Sequence, residues 1–278
     1  MLDYYSKKTN ICTAATRDYS FNIINNLSLK DKFLISGSAD LFSSTKNYLN
    51  ESRDFNSKGR YCGKNLRLGV REHCMGSLFN GINYFGYFKT YCSTFLVFSD
   101  YLKPALRLSA LAGLKTNYIF THDSILVGQD GPTHQPIETL ANLQTLPNLK
   151  VIRPSSFVET LGGYMISYLT IKTPVCLILS RQKIEVSIQS NRYINLLLGT
   201  LKGAFILKKE LNMLKLILIS TGSEVALALE ICHNLSKYTR LVSIPCIANF
   251  LTQSRRYVDK ITPPNTYTLI IEFGIVDN

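Results

Sequence analysis

Two histidines, two aspartates and two glycines fall within sixteen residues of this chain, in the stretch THDSILVGQDGPTHQP at 121–136. His122 and His134 are side chains that hydrogen-bond oxygens or carry protons near neutral pH. The glycines allow positive φ and close approach of backbone to a ligand. The stretch lies between a strand pattern and a helix pattern, where loops of open α/β sheets build ligand sites. A polar surface loop with an incidental histidine is the plainer alternative.

Two other groups could do chemistry. Glu72 stands in GVREH at 69–73, at the head of an amphipathic stretch. A carboxyl there either works as an acid or base, or simply complements the helix macrodipole. Phe95, Phe98 and Tyr101 recur at i, i+3 and i+6 in STFLVFSDY at 93–101. Read as helix, that spacing puts three flat rings on one face, suited to a neutral heteroaromatic ring or to ordinary core packing.

The elements that must position these residues alternate short β-branched runs with longer amphipathic ones, the pattern of an α/β fold with a mostly parallel, doubly wound sheet. A first helix is predicted over 14–27 and a strand over 32–40, followed by a polar loop over about 42–64. LRLGV and YFKTYC read as strands around the helix 71–85, and 94–114 as one long helical region that Pro104 should bend or restart. NYIFTHD, KVIRP and PVCLILS complete the strands of this unit, with helices over 137–146 and 156–169 between them. Residues 182–198 break the pattern. A smaller α/β unit follows, its strand LKLILIST leading into a helix for which Ser223 is the expected N-cap. The domains predicted are 1–185 and 186–278, the second ending soon after a strand, as a truncated or partner-covered unit would.

With 278 residues and 46% hydrophobic residues the chain can build a sizeable core without disulfides or metals. Its seven cysteines form no CxxC pair, and they read as small buried hydrophobes in a reducing, cytoplasmic setting. The net charge of +12 is spread out, without the basic and aromatic stripe of a nucleic-acid binder, so nucleic acid is not expected as a partner. No apolar run reaches the length of a membrane span, and residues 1–8 show no signal-peptide pattern, so no membrane is expected either.

Taken together with TAATR (13–17), GSADL (37–41), GVREH, STFLVFSDY, PNLKVIRP (147–154), LILSRQ (177–182) and STGSEV (220–225), the 121–136 stretch closely resembles the transketolases. The resemblance covers nearly the whole chain, with Gln129 where the family usually has Glu. It implies a pyrimidine-binding domain followed by an incomplete C-terminal domain, and thiamine diphosphate as cofactor. It gives Glu72 the task of contacting N1′ of the aminopyrimidine, promoting the imino tautomer that removes the thiazolium C2 proton. Phe95, Phe98 and Tyr101 become the pyrimidine wall, with Phe98 the stacking ring, and Asp40 lies near the cofactor. Arg17, Ser44, His122, Asp130, His134 and Arg181 become the sugar-phosphate residues, the arginines offering planar forks to phosphate.

The chain has no GDG followed some 30 residues later by Asn, the element that holds Mg2+ and diphosphate in thiamine enzymes. The resemblance therefore implies a separate diphosphate-binding chain that carries Mg2+, and a homodimer of this chain within a heterotetramer. The expected reaction moves a two-carbon ketol unit between sugar phosphates. A related thiamine enzyme, such as deoxyxylulose-phosphate synthase or the β-subunit of a 2-oxo-acid dehydrogenase, is one alternative. A non-catalytic remnant that only binds a partner is the other.

Overall fold

The central strands of the larger sheet are buried at nearly every position, because successive side chains point alternately into two layers of helices. A computed structural model describes residues 12–56, 61–186, 190–235 and 237–275. The chain opens with β1 (Cys12–Ala14), α1 (Thr16–Lys30), β2 (Leu34–Ser38), α2 (Phe42–Thr45) and β3 (Asn65–Arg67). Next come α3 (Glu72–Phe85), β4 (Lys89–Phe95), α4 (Ser99–Leu111), β5 (Asn117–Thr121), α5 (Thr139–Gln144) and β6 (Lys150–Ile152). The first unit closes with α6 (Phe157–Leu169), β7 (Val175–Leu179) and β8 (Ile184–Val186).

Six strands form a parallel sheet in the order β3-β2-β4-β5-β7-β6. On β5, Tyr118 and Phe120 pack with Met75 and Phe79 of α3, Leu102 and Leu106 of α4, and Leu140 and Leu143 of α5. Ile119 between them points to the other face, against Ile23 and Ile24 of α1 and Leu161 and Tyr164 of α6. Helices on both faces make the sheet doubly wound, as the apolar runs predict.

The second unit runs α7 (Tyr193–Lys202), β9 (Phe205–Lys208), β10 (Leu216–Ser220), α8 (Glu224–Asn234), β11 (Thr239–Ser243), α9 (Ile247–Leu251), α10 (Arg255–Ile261) and β12 (Tyr267–Ile271). Its sheet has the order β12-β10-β11-β9, with β9 antiparallel to β11. Leu196, Leu218, Val225 and Leu241 join the same buried cluster as α1 and α6, so one core runs through both units. Among the described residues no helix is long and apolar enough to cross a membrane.

Several expectations change. The first helix starts at Thr16, because Cys12–Ala14 is drawn into an antiparallel ribbon with β8. The 182–198 segment is not patternless: its ends are β8 and the start of α7. Pro104 sits inside α4 as its sixth residue, and the helix proper begins only at Ser99. Ser223 makes no side-chain cap; its hydroxyl is engaged by Glu224, Asp123 and Arg153 instead. Cys92, Cys176, Cys232 and Cys246 are buried, but Cys62 and Cys74 are exposed. Residues 1–8, read above for targeting signals, lie outside the described residues.

Candidate active site

From β2 the chain passes to β3 on one side and then to β4 on the other, so a crevice opens at the carboxyl ends of these strands. The candidate residues collect there and at the neighbouring ends of β5 and β7. Asn47 braces the crevice floor. Its Nδ2 donates to Ser36 Oγ and Gly37 O, each at 2.9 Å, and its Oδ1 accepts from Ser93 Oγ at 2.6 Å. This fully buried amide ties the α2 segment across β2 and β4.

Phe95 ends β4, Phe98 is the residue before α4, and Tyr101 lies in that helix's first turn. The three do not share one helical face, because the strand runs further than its sequence pattern indicates. The rings nevertheless converge. Phe95 and Phe98 are parallel within 9° with centroids 5.8 Å apart, and Phe98 and Tyr101 are 6.1 Å apart. Phe95 is buried and Tyr101 is 66% exposed, so the wall runs from core to surface.

His122 follows β5 with φ +61°, in the left-handed region seldom used by non-glycine residues. Its ring lies against Phe95 at a centroid distance of 3.7 Å. Thr121 Oγ1 and His122 Nδ1 are 2.9 Å apart, either being able to donate. His134 closes a 3-10 turn (Pro132–His134) and stands edge-on to Phe98 at 5.3 Å. Burial, aided by the positive charges of Arg17 and Arg181 against the opposing pull of Asp130, pushes the His122 pKa down to about 4. At neutral pH the ring is therefore uncharged, with one donor and one acceptor nitrogen.

The two arginines are seated by their neighbours. Thr16 N donates to Ser180 Oγ at 2.9 Å, and Ser180 N donates to Thr16 Oγ1 at 2.7 Å. This pair fixes the start of α1 to the end of β7 and satisfies one of the free donors of a helix terminus. Arg17 and Arg181 follow directly, near enough for the charge of Arg181 to act on Arg17 and for both to act on His122. Arg17 Nη1 donates to the carbonyl oxygen of Ser44 at 2.8 Å, so Ser44 acts through its backbone. Burial and the like charge of Arg181 lower the Arg17 pKa, with Asp18 and Asp130 opposing. Gly128 has φ +99°, and a Cβ there would stand 2.7 Å from the Arg181 Cζ. Only glycine lets the loop pass so close to that guanidinium.

Glu72 is the first residue of α3 and is 8% exposed. Among the described residues nothing donates a hydrogen bond to its carboxyl. One turn on, Gly76 packs against Leu102 and Ala105, which sets this end of α3 beside the opening turns of α4. Asp40 is exposed, with φ +63°. It lines a separate cavity of about 620 Å³ with Phe42 and Ser43 of α2, Lys46, Tyr48 and Arg67, so the ring and histidine cluster does not include it. Asp130 is exposed in the loop between His122 and His134 and acts on both His122 and Arg17 electrostatically.

Sequence reasoning missed Asp123, Arg153 and Glu224, a buried polar group beside the crevice that the half-buried Ser223 joins. Their signal was a single arginine ending the apolar strand KVIRP, next to two motifs that each carry a carboxylate.

The pattern described as "Transketolase, pyrimidine binding domain" matches residues 13–186, and "Transketolase-like TK C-terminal domain" matches residues 203–277. A transketolase of Dictyostelium discoideum is 44% identical over 252 residues, covering 90% of this chain and 37% of that protein. The chain thus spans well under half the length of this relative. The Pichia stipitis transketolase crystallised with sedoheptulose-7-phosphate superposes with a TM-score of 0.87 at 35% identity, over 95% of this chain and 39% of that one. A split-gene transketolase described as an inactive β4 tetramer shares the fold, with a TM-score of 0.67 at 19% identity, over 96% of this chain and 91% of that one.

Proposed function

The chain belongs to the transketolase family, and on that premise we propose that it is the pyrimidine-binding subunit of a split transketolase. The reaction assigned is transfer of a two-carbon ketol unit from a ketose phosphate to an aldose phosphate with thiamine diphosphate.

Glu72 carries this reading. The residue is 8% exposed at the crevice, and among the described residues no hydrogen bond engages its carboxyl, which is left free to meet a ligand. A carboxyl left in that state suits a ring nitrogen with which it can share a proton. The parallel Phe95 and Phe98 rings suit the flat faces of a pyrimidine. The residues present therefore fit the aminopyrimidine end of the cofactor.

When bound, thiamine diphosphate supplies the carbon nucleophile and electron sink for breaking and remaking the C–C bond. Glu72 holds the proton at the pyrimidine nitrogen, while Phe95, Phe98 and Tyr101 orient the ring and keep water from it. His122, uncharged at neutral pH, hydrogen-bonds the reacting oxygen, and His134 and Asp130 take the sugar hydroxyls. Arg17 and Arg181 offer two guanidinium forks to the phosphate.

Among the described residues no group of three or more His, Cys, Asp or Glu could hold a metal ion. The diphosphate and Mg2+ are assigned to a separate diphosphate-binding chain, two of each chain forming a heterotetramer. An apolar group of Leu78 and Phe85 on α3 with Leu108 and Leu111 on α4, each more than 40% exposed, supports a partner that covers this surface.

Equilibrium dialysis of thiamine diphosphate with Mg2+ tests the assignment on this chain, the diphosphate-binding chain and their mixture. Retention should rise about tenfold or more on mixing and fall back with Glu72→Ala. No gain in a mixture that forms a complex would remove the split reading. Full retention by the Glu72→Ala complex would remove Glu72 from the cofactor site.

A further inference from the structure

Asp123 comes directly after His122 and is 3% exposed. Its Oδ2 accepts from Arg153 Nε at 3.0 Å and lies 2.9 Å from Arg153 Nη2. Arg153, also 3% exposed, grips Glu224 with both terminal nitrogens, Nη2 donating to Oε1 at 2.9 Å and Nη1 to Oε2. Nη2 donates to Ser223 Oγ at 3.1 Å, and Nη1 reaches Glu272 Oε1 at 3.4 Å. Asp123 and Arg153 belong to the six-stranded unit; Ser223, Glu224 and Glu272 belong to the other.

The backbone of Arg153 is held as firmly as its side chain. Its carbonyl oxygen accepts from Gly222 N and from Thr221 Oγ1, each at 3.1 Å. Gly222 has φ +57°, and a Cβ there would stand 2.6 Å from Arg153 Cγ, so the second unit closes directly onto the arginine stem. Burial works against the Arg153 charge, but Asp123 and Glu224 outweigh it and hold the guanidinium charged.

His122 therefore sits between two fixed residues. Thr121 is locked into the sheet opposite Leu179, and Asp123 is locked to Arg153. We propose that Arg153 and Glu224 are positioning residues for His122: through Asp123 they hold it in its left-handed conformation with the imidazole against Phe95. The second unit thus shapes the site without entering it. This inference draws on the proposed function only for the task of His122, not for how the residue is held.

Histidine side-chain NMR of the full chain reads this without partner or substrate. The chain has four histidines, and His122→Gln identifies the resonance of interest. In the wild-type chain its ring protons should be shifted upfield by Phe95. Arg153→Lys keeps the charge but cannot fork to Asp123 and Glu224 together, and Glu224→Gln weakens the grip from the other side. Both should remove about half or more of the upfield displacement and raise the titration midpoint by about one pH unit. Ser243→Ala removes a different bond between the units, Ser243 Oγ to Glu159 Oε1 at 2.7 Å, and should leave His122 unchanged. An unmoved His122 signal in folded Arg153→Lys and Glu224→Gln overturns the proposal, as does an equal change in Ser243→Ala. Should Arg153→Lys not fold, Ser223→Ala decides on the same readout: a smaller displacement in the same direction supports the proposal, and none contradicts it.

Discussion

The imidazole of His122 and the ring of Phe95 lie one over the other, their centroids 3.7 Å apart and their planes tilted by 33°. The contact places a titratable group in an apolar setting at the head of the crevice, beside Arg17 and Arg181. Burial and these two charges depress its pKa to about 4 from an ordinary 6.5. In the unfolded chain the ring takes up a proton as pH falls through 6.5, whereas in the folded chain it stays neutral until about 4. Acid therefore favours the unfolded state in that window: the contribution of His122 is fully present above 6.5 and is lost as pH falls toward 4. His122→Gln should flatten the loss of stability between about pH 6.5 and 4.5, read from urea midpoints. Equal slopes in the two proteins would show that the ring is not held neutral.

Phe95 and Phe98 stack on each other but differ in burial, and the two truncations should separate accordingly. Phe95→Ala removes a ring from the core and should cost about 3–5 kcal/mol of stability. Phe98→Ala should cost under about 2 kcal/mol, because part of its ring is already exposed, yet weaken thiamine diphosphate binding at least as much. Denaturation and cofactor dialysis on the same samples check both halves. Equal cofactor affinity in Phe98→Ala would take that ring out of the wall.

Gly128→Ala should act on phosphate recognition. Its Cβ would meet the Arg181 guanidinium at 2.7 Å, and φ +99° is strained for alanine. Displacing one charged fork is worth about 1.5–3 kcal/mol, or roughly 10–150-fold in KM for a phosphorylated ketose. Kinetics with phosphorylated and unphosphorylated substrates separate the effects: the loss should be confined to the former.

Ser44→Ala and Arg17→Ala should differ sharply, although both positions match the family's substrate residues. Arg17 bonds the Ser44 carbonyl, which alanine retains, so Ser44→Ala should change phosphate-substrate KM by under about threefold. Arg17→Ala should raise it by about tenfold or more. A large Ser44→Ala effect would mean that the hydroxyl itself meets the substrate.

Much of this was legible in the chain because the signals are local. The apolar runs around Tyr118–Phe120 and Val175–Leu179 have the length and composition of strands buried on both faces, which is why the doubly wound sheet could be read. The 121–136 loop announced itself by composition, and the positions matched to the transketolases supplied Arg17, Asp130 and Arg181. Phe95 was misplaced onto a helix because i, i+3, i+6 spacing also arises when a strand end, a turn and a helix start follow one another. Asp123, Arg153 and Glu224 escaped notice because their partnership spans 101 positions of sequence, with Asp123 and Glu224 meeting through Arg153 and Ser223. No spacing rule reaches across two folded units. Asn47 was hidden for another reason: it is a buried amide inside what reads as a polar loop.

The most direct test of the central claim is turnover of a ketose phosphate and an aldose phosphate with thiamine diphosphate and Mg2+. This chain would be assayed alone, then with the diphosphate-binding chain from the same source, then as Glu72→Ala in the same mixture. Turnover should appear only in the mixture and fall by about 100- to 10,000-fold with Glu72→Ala, in a complex of unchanged size and melting temperature. Absence of turnover in a mixture that demonstrably assembles, or full turnover with Glu72→Ala, would contradict it.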